Sequence, residues 1–325
     1  MVEIAGKPLW MWAGFFVIVA ALLAFDLGVL HRKQHVVGVR ESLATSALYI
    51  ALGLGFGALV WLELGSGAGV EYLTGFIVEK SLAVDNIFVI ALIFGYFAIP
   101  PVLQHRVLFW GVLGAVVLRG VMIGFGAALV ERFDWALYLF GAFLVLTGVK
   151  MLLLGDKPAD LGRNPLLRLL RRFAATEDRL EEPHFFTRRF DPAAGRTVLA
   201  ATPLFLALVT IEGADLVFAV DSVPAIFAIT TDPYIVYTSN IFAILGLRAL
   251  YFALAAVLHR FAYLKQALAV LLVFIGSKIF VADLLGWMKF PPALSLGITF
   301  AILAAGIAWS LWRTRSETRE AARQI

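Results

Sequence analysis

Glu79-Lys80-Ser81-Leu82-Ala83-Val84-Asp85-Asn86-Ile87 lies in the middle of one long apolar run, and Asp215-Leu216-Val217-Phe218-Ala219-Val220-Asp221-Ser222-Val223 lies in the middle of another. Both fit one pattern: an acid, three residues, Ala-Val-Asp, an Asn or Ser, then a β-branched residue. Ionisable residues inside a membrane-length apolar run are costly and mark function by default. The match extends outward in the same order. The following runs contain Leu118-Arg119 and Leu247-Arg248 and end in Arg132-Phe133 and Arg260-Phe261. The runs after those contain Gly148-Val149-Lys150 and Gly276-Ser277-Lys278. Three matches in one order read as an internal repeat of three helices.

Composition agrees with a membrane protein. Of 325 residues, 61% are apolar and 15% charged, against about 25% charged in a typical soluble domain. A membrane-spanning helix needs about 20 mostly apolar residues. Nine runs qualify: 9–30, 43–63, 71–97, 107–130, 135–154, 198–229, 234–258, 266–286 and 293–312. The first is long for a signal peptide, contains Asp26 and has its cations after it, so it reads as a retained span. The expected fold is all-α, a polytopic membrane helix bundle of one integral membrane domain. Residues 71–154 form the first three-helix repeat, 155–197 a loop, 198–286 the second repeat, and 9–63 and 293–312 flanking helices.

Charge sets the orientation. With alternate loops on alternate sides, 19 of the 27 Lys and Arg fall on one side, 3 on the other and 5 within spans. The positive-inside rule then puts the N-terminus outside and the C-terminus in the cytoplasm. The third span runs inward and the sixth outward, so the two repeats are expected to be inverted, a recurrent transporter plan with sites on interrupted helices. The run 198–229 is too long for one straight helix, and Pro224 leaves the Val220 carbonyl without its helical partner. A break beside Asp221 is therefore expected. In the loop, Asn164 as cap and Pro165 at the first position predict a short helix over 164–173.

The candidate metal-binding residues are Glu79, Asp85, Asn86, Glu212, Asp215, Asp221 and Ser222. Residues six apart on a helix point about 120° apart, so Glu79 and Asp85 do not share a face, nor do Asp215 and Asp221. Glu212 and Asp215, three apart, do. Carboxylate, amide, hydroxyl and carbonyl oxygens suit Mg²⁺, Ca²⁺ or Mn²⁺ rather than zinc or copper. Lys80, Arg119, Lys150, Arg248 and Lys278 are the expected counter-charges, carrying no acceptor for a cation. If all five pair with the acids, no net negative charge remains, so some pairs must open when metal binds. Exchange of protons for metal is chemically accessible to such carboxylates.

Other chemistries are excluded. The chain has no cysteine, so thiolate metal sites and thiol redox motifs are absent, and its five histidines fall at run ends or in loops. There is no G-x-x-x-x-G-K-[ST] nucleotide loop. Gly213-Ala214-Asp215 is not the GxGD of an intramembrane protease. The expectation is a non-enzyme with no permanently bound cofactor and no nucleic-acid partner, whose partners are the lipid bilayer and a divalent ion.

These motifs, with Phe25-Asp26-Leu27-Gly28-Val29 before a basic loop, closely resemble the TerC/Alx family over about residues 9–312. The resemblance implies a LysE-superfamily-like fold in a bacterial inner membrane and an association with Mn²⁺ export. The family's historical link is to tellurium resistance, and the absence of cysteine counts against direct thiol chemistry on tellurite. By matching motif, Glu79, Asp85, Glu212, Asp215 and Asp221 inherit a proposed metal-site role. The alternative is a non-transporting membrane factor that assists metalation or assembly of exported or membrane proteins.

Overall fold

The computed structural model describes residues 3–25, 38–133, 135–154, 175–176, 184–191, 196–255, 264–287 and 290–323. A two-stranded hairpin, β1 (Glu3–Ile4) and β2 (Lys7–Pro8), leads into α1 (Leu9–Phe25), α2 (Val39–Leu64), α3 (Ser66–Tyr96), α4 (Pro101–Arg132) and α5 (Trp135–Leu154). Then come β3 (Ala175–Thr176), β4 (Phe186–Asp191), β5 (Arg196–Ala201), α6 (Pro203–Phe227), α7 (Pro233–Leu245), α8 (Leu247–Ala255), α9 (Leu264–Leu284) and α10 (Pro292–Arg323). The predicted helix over 164–173 lies outside the described residues, as do residues 26–30 of the first expected span.

The chain is a helical membrane protein. Among the described residues, six helices are long and apolar enough to cross a membrane: α2, α4, α5, α6, α9 and α10. The pair α7 and α8, bent by 41°, makes a seventh if read as one span. α1 is short at 17 residues. α3 is long, but Glu79, Lys80 and Asp85 crowd its middle with charge.

The sixth expected span is also shorter than its apolar run. Residues 196–201 are not helical but form β5, paired antiparallel with β4 so that Arg188 faces Leu199 and Thr187 faces Ala200. β3 pairs on the other edge of β5. The physical reason is local. Thr197 and Val198 favour an extended chain, and the residue before a proline is pushed out of the α region. Thr202 is extended and Pro203 occupies the first turn of α6. The Thr202 hydroxyl donates to the His184 carbonyl at 2.7 Å, fastening the sheet to the helix start.

The expected break beside Asp221 is displaced. α6 runs through Pro224 to Phe227, because a proline so near the end costs one hydrogen bond and the helix stops within a turn. The interruption in this half of the chain falls at Gly246, between α7 and α8.

Packing brings the helices together in crossed pairs. α3 lies against α6 and α7, and α4 lies against α6 and α7. α5 and α9 form the most extensive pair. A Cβ on Gly276 would lie 2.5 Å from the Gly141 carbonyl oxygen, and one on Gly148 would lie 2.6 Å from that of Ala269. These contacts run in opposite order, so the two helices are antiparallel with their backbones touching. At the other side, Lys7 pairs with Asp232 at 2.9 Å, and Asp232 caps α7 by accepting from the Tyr234 amide at 3.0 Å.

The glycine seam makes a direct prediction. Gly276→Leu should cost about 1–3 kcal/mol through overpacking against backbone that has no rotamer to yield. Gly297→Ala on α10, where an added Cβ meets nothing within 4 Å, should be neutral. Thermal unfolding of the detergent-purified variants checks this; equal melting of Gly276→Leu and wild type would mean that the seam yields.

Candidate functional site

Glu79 and Asn86 are seven residues apart, as are Asp215 and Ser222. Seven residues fall about 20° short of two full turns, so each pair shares one helix face. The repeat therefore presents an acid and a neutral oxygen-bearing side chain on the same stripe of α3 and of α6. The two stripes face each other, and Arg119 of α4 reaches between them.

The guanidinium of Arg119 is 1% exposed. Its Nη2 donates to Asp215 Oδ1 at 2.9 Å and its Nε to Asp215 Oδ2 at 3.3 Å, a two-pronged grip. Nη1 pairs with Glu79 Oε1 and also reaches Ser222 Oγ at 3.3 Å and Asn240 Oδ1 at 3.2 Å. Amides complete the set. Asn240 Nδ2 donates to Glu79 Oε2 at 3.0 Å, and Asn86 Nδ2 donates to Asp215 Oδ1 at 3.4 Å. Four helices, α3, α4, α6 and α7, thus meet on one buried cation. A planar fork with five donors can serve all these acceptors at once, where a lysine ammonium offers three.

A cavity of about 20 Å³ lies against Asp215 and Asn86. Its other walls include Gly111, Ala115, Ile211, Ala214 and Leu247. That is room for about one water-sized guest.

The remaining expected residues take different places. Glu212, one turn before Asp215, has both carboxylate oxygens buried and without a hydrogen-bond partner. They press against Gly114 of α4, where no side chain would fit. Asp221 is not among the partners of Arg119: it is half-buried and has Thr147 and Lys150, both on α5, as its neighbours. The six-residue offset from Asp215 turns it to that helix. Asp85 lies in α3, and its side chain is outside the described residues. Lys80 donates to the Ala243 carbonyl at 2.9 Å, at the end of α7 beside Gly246. Arg248 is buried in α8, and Lys278 is buried in α9, donating to Ser295 Oγ at 3.3 Å. Among the described residues, no three His, Cys, Asp or Glu side chains gather as a metal-binding group.

Asn240 is a site residue that the sequence motifs do not contain. Its signal is the run Thr238-Ser239-Asn240, three polar residues in an apolar span, all with no exposed surface. Thr238 and Ser239 bond back to carbonyls of their own helix, each at 2.7 Å to the residue four before. Only Asn240 carries its polar atoms across to other helices.

Comparison with known proteins gives this arrangement relatives. Residues 64–318 match the integral membrane protein TerC family. The chain is 48% identical over 310 residues to an uncharacterized membrane protein of Myxococcus xanthus, covering 95% of this chain and 94% of that one. It is 47% identical over 316 residues to a protein of Escherichia coli strain K12 provisionally named membrane-bound redox modulator Alx, covering 94% and 95%. It is 43% identical over 309 residues to an uncharacterized membrane protein of Rickettsia bellii, covering 95% and 99%. No solved structure matches.

Removing Arg119 should expose what it compensates. Arg119→Met leaves two buried carboxylates unpaired and should destabilise the protein by about 3–5 kcal/mol. Adding Glu79→Gln and Asp215→Asn should recover part of that loss, while adding Asp221→Asn should recover none. Melting temperatures of the purified proteins read this out, and rescue by Asp221→Asn would move the counter-charge assignment.

Proposed function

The chain belongs to the integral membrane protein TerC family, and we propose that it exports a divalent metal cation, Mn²⁺ first among candidates, through the oxygen-lined site around Glu79 and Asp215. The observation that carries this reading is the convergence of two carboxylates, two amides and a hydroxyl from three helices beside a cavity sized for one guest, inside an apolar bundle. Hard divalent ions take oxygen ligands of these types. Mn²⁺ here is cargo, not a resident cofactor.

The inverted-repeat reading is supported by reciprocal contacts. Glu79 matches Asp215 in the repeat and Asn86 matches Ser222. Asn86 meets Asp215, while Ser222 meets the guanidinium that holds Glu79. Likewise Gly148 matches Gly276, and the same offset matches Gly141 to Ala269; the close approaches are Gly141 to Gly276 and Gly148 to Ala269. Such exchange of partners is what a two-fold axis in the membrane plane produces. The proposed setting is a bacterial inner membrane with the N-terminus outside, the C-terminus in the cytoplasm and about nine spans, counting α1, the charged α3, and α7 with α8 as one. Protons are the proposed exchanged ion, and no enzymatic activity is assigned.

A second reading is a membrane factor that assists metalation or assembly of other proteins. It is favoured by the saturation of Glu79 and Asp215 by Arg119. A redox role, as the Alx name suggests for that relative, would not run through thiols here, since this chain has no cysteine.

Purified protein in proteoliposomes should move Mn²⁺, and faster with an opposing pH gradient than without one. Glu79→Gln and Asp215→Asn should each reduce flux to background, because a hard cation loses an anionic ligand. Asp232→Asn, at the cap of α7, should leave flux within twofold. Wild-type flux from both site variants would favour the assembly-factor reading.

A further inference from the structure

Among the described residues, Glu212 is the one group at this crossing that the structure leaves unserved. Its two oxygens are buried and make no hydrogen bond, whereas every polar arm of Glu79 and Asp215 is engaged. A bare buried carboxylate is expensive, and here it is held by Gly114, whose missing side chain leaves the space the carboxylate fills. Gly114 and Arg119 are on the same helix, and α4 and α6 run parallel: Gly114 meets Glu212, Arg119 meets Asp215, and Gly126 meets Val223 and Phe227. Helical side chains lean toward the N-terminus of their helix, so the stem of Arg119 leans toward Gly114 and thus toward Glu212. Asp215 and Glu212 lie three residues apart on one face of α6, about 4.5 Å along its axis.

We propose that Arg119 is a tethered cation that occupies the site in place of the cargo, and that Glu212 is the acid that receives it when cargo enters. This rests on the export reading above. In the arrangement seen, the single charge of the guanidinium is shared between Glu79 and Asp215 and offsets one of their two. When the fork shifts one turn from Asp215 to Glu212, Arg119 and Glu212 cancel. Glu79 and Asp215 are then left with two negative charges, the complement of one divalent cation. A monovalent cation leaves one charge unmatched in an apolar bundle. Asn86, Asn240 and Ser222, which now serve the ion pairs, then have oxygens to offer. No bond is made or broken beyond these ion pairs and hydrogen bonds. The arrangement also accounts for the lack of a cluster of three free acids among the described residues: the third acid belongs to the arginine, not to the metal.

The test is Mn²⁺ binding by calorimetry on detergent-purified protein, together with flux in proteoliposomes. Glu212→Gln removes no contact present in the structure, so it keeps its fold and melts at or above the wild-type temperature. It should weaken Mn²⁺ binding at least tenfold and slow flux. Arg119→Gln should bind Mn²⁺ more tightly than wild type yet lose flux, and adding Glu212→Gln to it should change binding by less than twofold. Where Arg119→Gln does not fold, Arg119→Lys replaces it, with the same expectation in smaller measure. Wild-type binding by Glu212→Gln overturns the proposal. So does a further tenfold loss when Glu212→Gln is added to the arginine variant, since Glu212 would then be a metal ligand itself. If wild type and every variant neither bind nor move Mn²⁺, the export reading falls, and this proposal with it.

Discussion

A buried guanidinium shared by Glu79 and Asp215 fixes the relative positions of the central helices. Taking ions out of water costs several kcal/mol each, and the attraction between them compensates only when geometry is good and the remaining donors are satisfied. Arg119 meets both conditions, with a fork on Asp215, a contact to Glu79 and neutral acceptors in Ser222 and Asn240. One consequence is register. α3, α4, α6 and α7 each contribute a partner, so sliding any one of them leaves a charge or a polar group unmatched in an apolar interior.

The same constraint governs the uncharged groups. With no water in the bilayer core, every backbone group needs an internal partner. Hydroxyls inside the helices bond back to their own turns, as Thr74, Ser81, Thr210 and Thr238 do to carbonyls four residues before, at 2.6–2.7 Å. Where the bundle does interrupt a helix, at Gly246, a carbonyl just before the break is taken by the Lys80 ammonium. That lysine follows Glu79 directly in sequence, so α3 contributes an acid to the ion pair and a cation to the break. Against this background the unpartnered oxygens of Glu212 stand apart.

Much of this is legible in the sequence, and the limits have physical causes. Charges in apolar runs locate α3 and α6, because a charge is rarely buried at such cost without a role. They do not reveal which acids pair. The motif draws the eye to Asp85 and Asp221, yet face-sharing follows the seven-residue step from Glu79 to Asn86 and from Asp215 to Ser222. Asn240 escapes notice because a single amide among Thr and Ser resembles ordinary helix polar residues; only its burial against Glu79 distinguishes it. β5 reads as part of a span because Val198, Leu199, Ala200 and Ala201 are as apolar as the helix they precede. Hydropathy does not register hydrogen bonding to β4, and Thr202-Pro203 is the available signal. Pro224 reads as the break, but a proline near a helix end disturbs little. Gly246, with no special neighbour in sequence, is the place where the chain turns.

The seam between α5 and α9 has a mechanical meaning. Where main chains touch at Gly141, Gly148, Ala269 and Gly276, no flexible side chain lies between them to absorb shear. The polar crossing, by contrast, is built of long side chains with alternative partners. Any rearrangement of the bundle must therefore carry α5 and α9 as one unit, a spine beside the four helices that Arg119 joins.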